Sequence, residues 1–226
     1  RVFVADINGQ AVEACVHSLR DQGLTAEGWV GDALTEAGAR RMVDEVAVKG
    51  ARLDVLVNCA VKSRSPELDA ITFQDMQFSF ETASATLATA QQAAGHMRSQ
   101  GGGSIINIGS MYGQVTGYPD VYKDLMPPNP LPYQASKAAV HHMTRYMAVY
   151  WADHHIRVNA IAPGPVPNPG KQGYAGNPAF QHFNERLAQR TPMKRVGRPT
   201  DFKWPALFLA IPASGFVTGQ ILFVDG

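Results

Sequence analysis

The stretch RVFVADINGQ, residues 1–10, changes character at its sixth position. Arg1 to Ala5 is a short apolar run rich in strand formers, Asp6 ends it, and the residues after it suit a helix start. The same unit of apolar strand, polar tip and helix recurs down the chain. Residues 9–22 read as a helix closed by Gly23, LTAEGWVGD (24–32) as a strand ending in an acid, and 35–49 as a helix stopped by Gly50. LDVLVN (53–58) is a continuous apolar strand. Residues 72–98 form a long helix, with Phe73, Met76, Phe80, Ala83, Leu87, Ala90, Ala94 and Met97 alternately three and four apart. GGGSIINIGS (101–110) is glycine, strand and polar tip. Helix 132–153 has Pro132 in its first turn. IRVNAIAPG (156–164) is a strand leading into a Pro/Gly-rich loop, helices are expected at 178–190 and 199–211, and ILFV (221–224) is a last strand. This alternation predicts an α/β fold, a parallel sheet with helices on both faces.

The bulk properties narrow the function classes. The 226 residues are 45% hydrophobic and carry 20 basic and 19 acidic side chains, a net charge of +1. No basic stripe suggests a nucleic-acid partner, and no apolar run approaches the length of a membrane span. Cys15 and Cys59 are too few for a disulfide framework and lie in no metal-ligand spacing, so a reducing cytoplasm is expected. The pairs His141-His142 and His154-His155 offer no two-ligand face, because adjacent helical side chains diverge by about 100°; no metal is expected.

Sheets of this type bind ligands beyond the carboxyl ends of their strands. Asp6, Asp32, Asn58, Ser110 and Pro163-Gly164 all stand at such ends. Singly, each is explained as a turn former; as a set they mark a site. YQASK (133–137) adds chemistry. Tyr133 and Lys137 lie four apart on one helix face. A tyrosine hydroxyl titrates near 10 and is a poor acid or base at neutral pH, and a nearby ammonium favours its phenolate. That arrangement suits moving a proton to or from an alcohol oxygen. Spacing alone favours two exposed neighbours. However, Tyr133 is the only one of seven tyrosines with a lysine four residues on, and it follows a strand that ends at Ser110.

With these residues in view, the chain resembles the short-chain dehydrogenases/reductases in their single-domain form, over nearly its whole length. LVNCA (56–60), GSIINIGS (103–110), YQASKAAV (133–140), IRVNAIAPGPV (156–166), RVGRPTD (195–201) and VTGQILFVDG (217–226) follow that family's motifs in order. The resemblance implies a Rossmann-like doubly wound sheet in three α/β/α layers, with residues 1–226 forming one dinucleotide-binding, catalytic domain. It implies an NAD(H)-dependent oxidoreductase that interconverts a secondary alcohol and a ketone by hydride transfer. Tyr133 would be the general acid/base, Lys137 would lower its pKa and hold the nicotinamide ribose, and Ser110 would polarise the substrate oxygen. Asp6 would bind the adenosine ribose hydroxyls and disfavour the 2′-phosphate of NADP. Asp32 and Ala33 would flank the adenine, Asn58 and Ala60 would pass under the cofactor, and Pro163, Gly164 and Val166 would frame the nicotinamide. A homodimer or homotetramer is implied. Two other readings compete: a degenerate dinucleotide-binding member without catalysis, and an S-adenosylmethionine methyltransferase, which has no need of Ser110, Tyr133 and Lys137 together.

Several departures qualify the resemblance. The family's supporting Asn on the long helix falls near Thr82 here, and PNP (167–169) replaces the usual Thr after the Pro-Gly turn. GYPDVYKDLMPPNP (117–130) lengthens the stretch between Ser110 and Tyr133; it reads as a pocket wall, a subunit contact or a surface loop. Lys62 and Arg64 either face an anionic substrate or are simply solvated. The family's first strand and glycine-rich phosphate loop would precede Arg1. The chain is therefore expected to be a piece of a longer protein, cut before Arg1 and just after Gly226, lacking the first strand. As it stands, it would bind NAD weakly or not at all and turn over nothing. A gap is expected between strands 1–6 and 53–58, or a direct pairing of the two.

Overall fold

Six strands, all parallel, alternate with seven α-helices among the described residues of the computed structural model, which are 1–123, 130–168 and 176–226. The strands are β1 (Val2–Asp6), β2 (Ala26–Val30), β3 (Val55–Asn58), β4 (Gly103–Ile108), β5 (Ile156–Pro163) and β6 (Ile221–Val224). The helices are α1 (Gly9–Asp21), α2 (Glu36–Gly50), α3 (Phe73–Ser99), α4 (Pro119–Tyr122), α5 (Leu131–Tyr150), α6 (Pro178–Arg190) and α7 (Lys203–Ala210). β1 pairs with β2, and β3-β4-β5-β6 form a second set in that order.

Local chemistry starts the helices where the periodicity places them. Asn8 caps α1 by accepting from the Ala11 N–H, Thr35 caps α2 through Gly38, and Thr72 and Asp75 form a capping box on α3. A Cβ at Gly38 would lie 1.9 Å from the Asp32 carbonyl oxygen, so the turn carrying Asp32 and Ala33 closes only on glycine.

The core sits on both faces of β4 and β5. Consecutive Ile105 and Ile106 point to opposite sides, as a strand requires. Ile105 packs with Ala90, Ala93, Ala94 and Met97 of α3 and Met147 of α5, whereas Ile106 packs with Ile161 and Leu209 of α7. The alanines of α3 let α3 and α5 lie close over the sheet. A buried amide network crosses this layer. Asn107 donates to Thr144 Oγ1 at 2.9 Å and accepts from Asn58 at 3.0 Å, while Thr89 donates to the Asn58 oxygen at 2.7 Å. It ties α3, β3, β4 and α5 together.

Some boundaries move for identifiable reasons. Strand 53–58 begins at Val55, because the Gln100 amide takes both backbone groups of Leu53. Helix 199–211 divides into a 3₁₀ turn at Pro199–Phe202 and α7, since Pro205 has no N–H to continue an α-helical ladder. Helix 132–153 starts at Leu131 and ends at Tyr150, before a 3₁₀ turn. α4, with Pro119 in its first turn, lies inside the 117–130 insertion.

β1 and β3 are not hydrogen-bonded to each other. A cavity of about 630 Å³ separates them, lined by Val2, Phe3 and Ala5 on one side and Val55, Leu56 and Val57 on the other. Val2 and Val57 are 43% and 49% exposed, high values for apolar strand residues. The expected gap is present, and the direct pairing is not. No helix among the described residues is long and apolar enough to cross a membrane.

The amide network supplies a stability test. Asn107→Leu leaves the Asn58 amide and the Thr144 hydroxyl without their Asn107 partner, at roughly 1–3 kcal/mol for each buried group left unpaired. The urea midpoint of the full-length protein is expected to fall with an unchanged slope; an unmoved midpoint would show that the network contributes nothing.

Candidate active site

Because every strand runs the same way, the strand ends gather at one edge. Asp6 closes β1, Asn58 closes β3, Ser110 follows β4 and Pro163 closes β5. The face of α5 turned toward this edge is polar. The Ser110 hydroxyl stands beside the Tyr133 hydroxyl and acts to lower its pKa, and Ser110 Oγ accepts from the Tyr112 N–H at 3.1 Å. Lys137 is only 3% exposed and donates to the Ile108 carbonyl at 2.6 Å. Its Nζ lies 5.9 Å from the Tyr133 ring centroid.

Burial dominates the electrostatics. It raises the Tyr133 hydroxyl above its ordinary value of 10, opposed by the Ser110 hydrogen bond and reinforced by the Cys59 thiol. It lowers Lys137 to about 8, with Cys59 acting weakly in the other direction. The expectation that Lys137 lowers Tyr133 is therefore not met: burial raises the hydroxyl. Desolvation disfavours the phenolate, and Lys137 is not among the groups that lower it. In this state Tyr133 is a protonated donor beside a cation that loses its charge readily.

The remaining sequence-predicted residues flank this centre. Asp6 is exposed; one carboxylate oxygen accepts from the Asn8 N–H at 2.8 Å, and the other has no bond within the described residues. That free oxygen suits the hydroxyls of a ribose. Asp32 accepts from the Leu34 N–H at 2.8 Å, which spends one of its oxygens on its own turn. Ala33, Asn58, Cys59 and Ala60 line the 630 Å³ cavity. Asn58 faces inward to Asn107 and Thr89, so its side chain holds the scaffold while its backbone lies at the edge. Pro163 and Gly164 turn beside β6, where the Gly164 N–H bonds the Val224 carbonyl at 3.0 Å. A Cβ at Gly164 would lie 2.4 Å from Asp225 Cα. Val166 packs on Gly197, where a Cβ would come within 2.9 Å of it. An exposed carboxylate at the end of β1 and a tyrosine-lysine-serine group beyond β4 are the kinds of group that hold the two riboses and the reacting end of a nicotinamide dinucleotide.

The lesser candidates resolve differently. Lys62 pairs with Glu81, Arg64 pairs with Asp75, and both cations lie 4.5 Å from the Phe78 ring centroid. They are tied to α3 rather than held free for an anion. Thr82 both accepts from the Lys62 N–H and donates to its carbonyl, at 3.1 Å each, bracing the loop after β3. The insertion packs inward. Tyr122 is buried and bonds the Tyr112 hydroxyl, both in a cluster with Phe180, Phe183 and Tyr133. Arg186 donates to the Val121 and Lys123 carbonyls, and Arg190 pairs with Asp120. Residues 118–123 thus join α6 beside the candidate centre; residues 124–129 and Pro169 lie outside the described residues. Sequence reading missed Tyr112, whose one local signal is an aromatic residue two positions after Ser110, whereas Tyr122 lies in the insertion that was expected to form a pocket wall, a subunit contact or a surface loop.

Known proteins resemble the chain in sequence and fold. The family model described as "Enoyl-(Acyl carrier protein) reductase" matches residues 1–226. The chain is 41% identical over 130 residues to galactitol 2-dehydrogenase (L-tagatose-forming) of Cereibacter sphaeroides, spanning 58% of this chain and 47% of that relative. It is 31% identical over 226 residues to 7alpha-hydroxysteroid dehydrogenase of Escherichia coli K12, spanning all of this chain and 83% of the relative. A solved structure of that steroid dehydrogenase activity, complexed with NADH and 7-oxo glycochenodeoxycholic acid, superposes with a TM-score of 0.86 at 31% identity, over 100% of this chain and 83% of the other. A gluconate 5-dehydrogenase of Burkholderia cenocepacia J2315, in complex with NADP and tartrate, superposes with a TM-score of 0.83 at 33% identity, over 99% and 83%.

The buried lysine is directly observable. With lysine side chains isotopically labelled, the Lys137 signal of the cofactor-free, full-length protein is expected to titrate near pH 8, because burial disfavours its charged form. Exposed lysines titrate about two units higher. Titration of Lys137 together with them would contradict its burial.

Proposed function

The chain belongs to the short-chain dehydrogenase/reductase family and is an oxidoreductase acting on CH–OH groups, and on that premise we propose that it interconverts a secondary alcohol and a ketone using NAD(H). The observation that carries this reading is the grouping of the Ser110 and Tyr133 hydroxyls with the buried Lys137, which donates to the Ile108 carbonyl at 2.6 Å.

A nicotinamide held here would supply the hydride that reaches the carbonyl carbon in the direction of reduction. Ser110 donates a hydrogen bond to the carbonyl oxygen and draws charge toward it. Tyr133, kept protonated by its burial, gives its proton to the same oxygen. The phenolate left behind is costly in so apolar a place, and the Lys137 ammonium, held in line by the Ile108 carbonyl, offsets that cost. In oxidation each step reverses: the phenolate form of Tyr133 accepts the alcohol proton while Ser110 keeps the oxygen in register. Lys137 also takes the nicotinamide ribose. Asp6 takes the adenosine ribose, with Asp32 and Ala33 beside the adenine, Asn58 and Ala60 along the cofactor, and Pro163, Gly164 and Val166 at the nicotinamide. The carboxylate of Asp6 repels a 2′-phosphate, so NAD is preferred to NADP. Residues 1–226 belong to one dinucleotide-binding, catalytic domain. The free thiols of Cys15 and Cys59 suit a reducing cytoplasm. The apolar outer face of α5, with Tyr146, Val149 and Tyr150 exposed, suits assembly as a homodimer or homotetramer.

Two substitutions in the full-length protein test the reading. Tyr133→Phe is expected to keep the fold and cofactor affinity while turnover falls roughly 10²–10⁴-fold; near-normal turnover would remove Tyr133 from its role. Asp6→Asn is expected to lower the ratio of kcat/KM for NAD over NADP by about tenfold or more, since a like-charge repulsion of a few kcal/mol at most is lost. A wild-type preference for NADP would sink the Asp6 assignment.

A further inference from the structure

One buried titratable group at this centre takes no part in the mechanism above. His141 follows Lys137 by one turn of α5 and is 2% exposed. Its Nε2 lies 3.4 Å from the Ser110 backbone N–H, which points at it, and its Nδ1 has no partner among the described residues. The ring meets Phe223 of β6 edge-on, with centroids 6.0 Å apart. An apolar side chain would avoid the unpaired buried nitrogen that imidazole leaves here.

The turn around Ser110 is shaped to this ring. A Cβ at Gly109 would lie 2.3 Å from His141 Nε2, and a Cβ at Gly113 would lie 2.7 Å from Cε1 and 2.8 Å from Nδ1. Neither glycine has a positive φ, so space rather than backbone conformation accounts for both. The turn is otherwise held by the Gly109 N–H on the Ile161 carbonyl at 2.8 Å and the Gly113 N–H on the Ser110 carbonyl at 2.9 Å. Those bonds fix its two ends. Among the described residues, only His141 reaches the Ser110 N–H itself.

We infer that His141 is the positioning residue of Ser110: its neutral imidazole, carrying its proton on Nδ1, wedges between Gly109 and Gly113 and accepts the Ser110 N–H, which aims the Ser110 hydroxyl at the reacting oxygen. This rests on the proposed role of Ser110. An accepting Nε2 requires the neutral ring, since both nitrogens of a cationic imidazole are donors. The surroundings enforce that state. Burial, Arg145 one turn on and Lys137 one turn back together depress His141 to about 4, so the acceptor persists across the working pH range. His141 touches no substrate in this scheme. It acts through Ser110.

The test separates an acceptor from a filler. His141→Leu keeps much of the volume and loses the acceptor, whereas His141→Gln places an amide oxygen near the position of Nε2. In the full-length protein the leucine variant is expected to lose roughly 10–100-fold in kcat, the scale of a misaligned catalytic group, with KM values and NAD(H) affinity within about twofold. The glutamine variant is expected to recover most of that loss. Undiminished kcat in the leucine variant, or an equal loss in both variants, would overturn the inference. Imidazole ¹⁵N spectra of the unmodified protein give a readout that needs no variant to fold. They are expected to show His141 with Nδ1 protonated and Nε2 bare near neutral pH, and a protonated Nε2 would overturn it as well. If the unmodified protein reduces no ketone at all, the oxidoreductase mechanism fails, while the spectra still decide whether His141 accepts from Ser110.

Discussion

A polar seam between α5 and the end of β4 holds this molecule's chemistry in place. Tyr133, Lys137, His141 and Thr144 stand on one stripe of the helix and meet the Ser110 hydroxyl, the Ile108 carbonyl, the Ser110 N–H and the Asn107 amide in turn. Polar groups buried at such a seam are costly unless each finds a partner, so the helix has little freedom to slide or rotate on the strand. The stripe also fixes the distance between a helix residue and a strand-end residue that are far apart in the chain. A rigid helix-strand contact holds a proton donor more closely in register than a loop would.

The same burial that builds the seam shapes its reactivity. In water a tyrosine and a lysine four residues apart would share a modest attraction. Here both are stripped of water, so the phenol holds its proton harder and the ammonium holds its proton less firmly. In the proposed mechanism, such a site is set for proton donation before any charge develops on Tyr133, and the cation beside it gains its full effect only when a phenolate forms. The insertion contributes from the other side. Tyr112 and Tyr122, clasped to α6 through Arg186 and Arg190, add an aromatic wall next to Tyr133. That wall ties α6 to the turn that carries Ser110, so the two sides of the centre are mechanically connected.

Much of this was legible in the residues. The order of strands and helices follows from local periodicity and from caps such as Asn8, Thr35 and Thr72, which act within a few residues of themselves. The convergence of Asp6, Asn58, Ser110 and Pro163 follows once the strands are taken as parallel, because a common direction puts all their ends on one edge. Tyr133 and Lys137 share a face for the same local reason. The split of helix 199–211 was also present in the sequence, in Pro205.

What the sequence by itself determined, then, is whatever depends on neighbours along the chain: element order, helix faces, strand ends, and the motif order that marks the family. Only the tertiary structure decided which long-range partner each polar group met. It placed His141 in the hollow between Gly109 and Gly113, where a histidine pair had suggested only a poor metal site. It committed Lys62 and Arg64 to Glu81, Asp75 and the face of Phe78, and turned the Asn58 side chain inward to Asn107. It also reversed the expected shift of Tyr133. Desolvation depends on how many atoms from distant segments close over a group, and no local pattern of residues encodes that number.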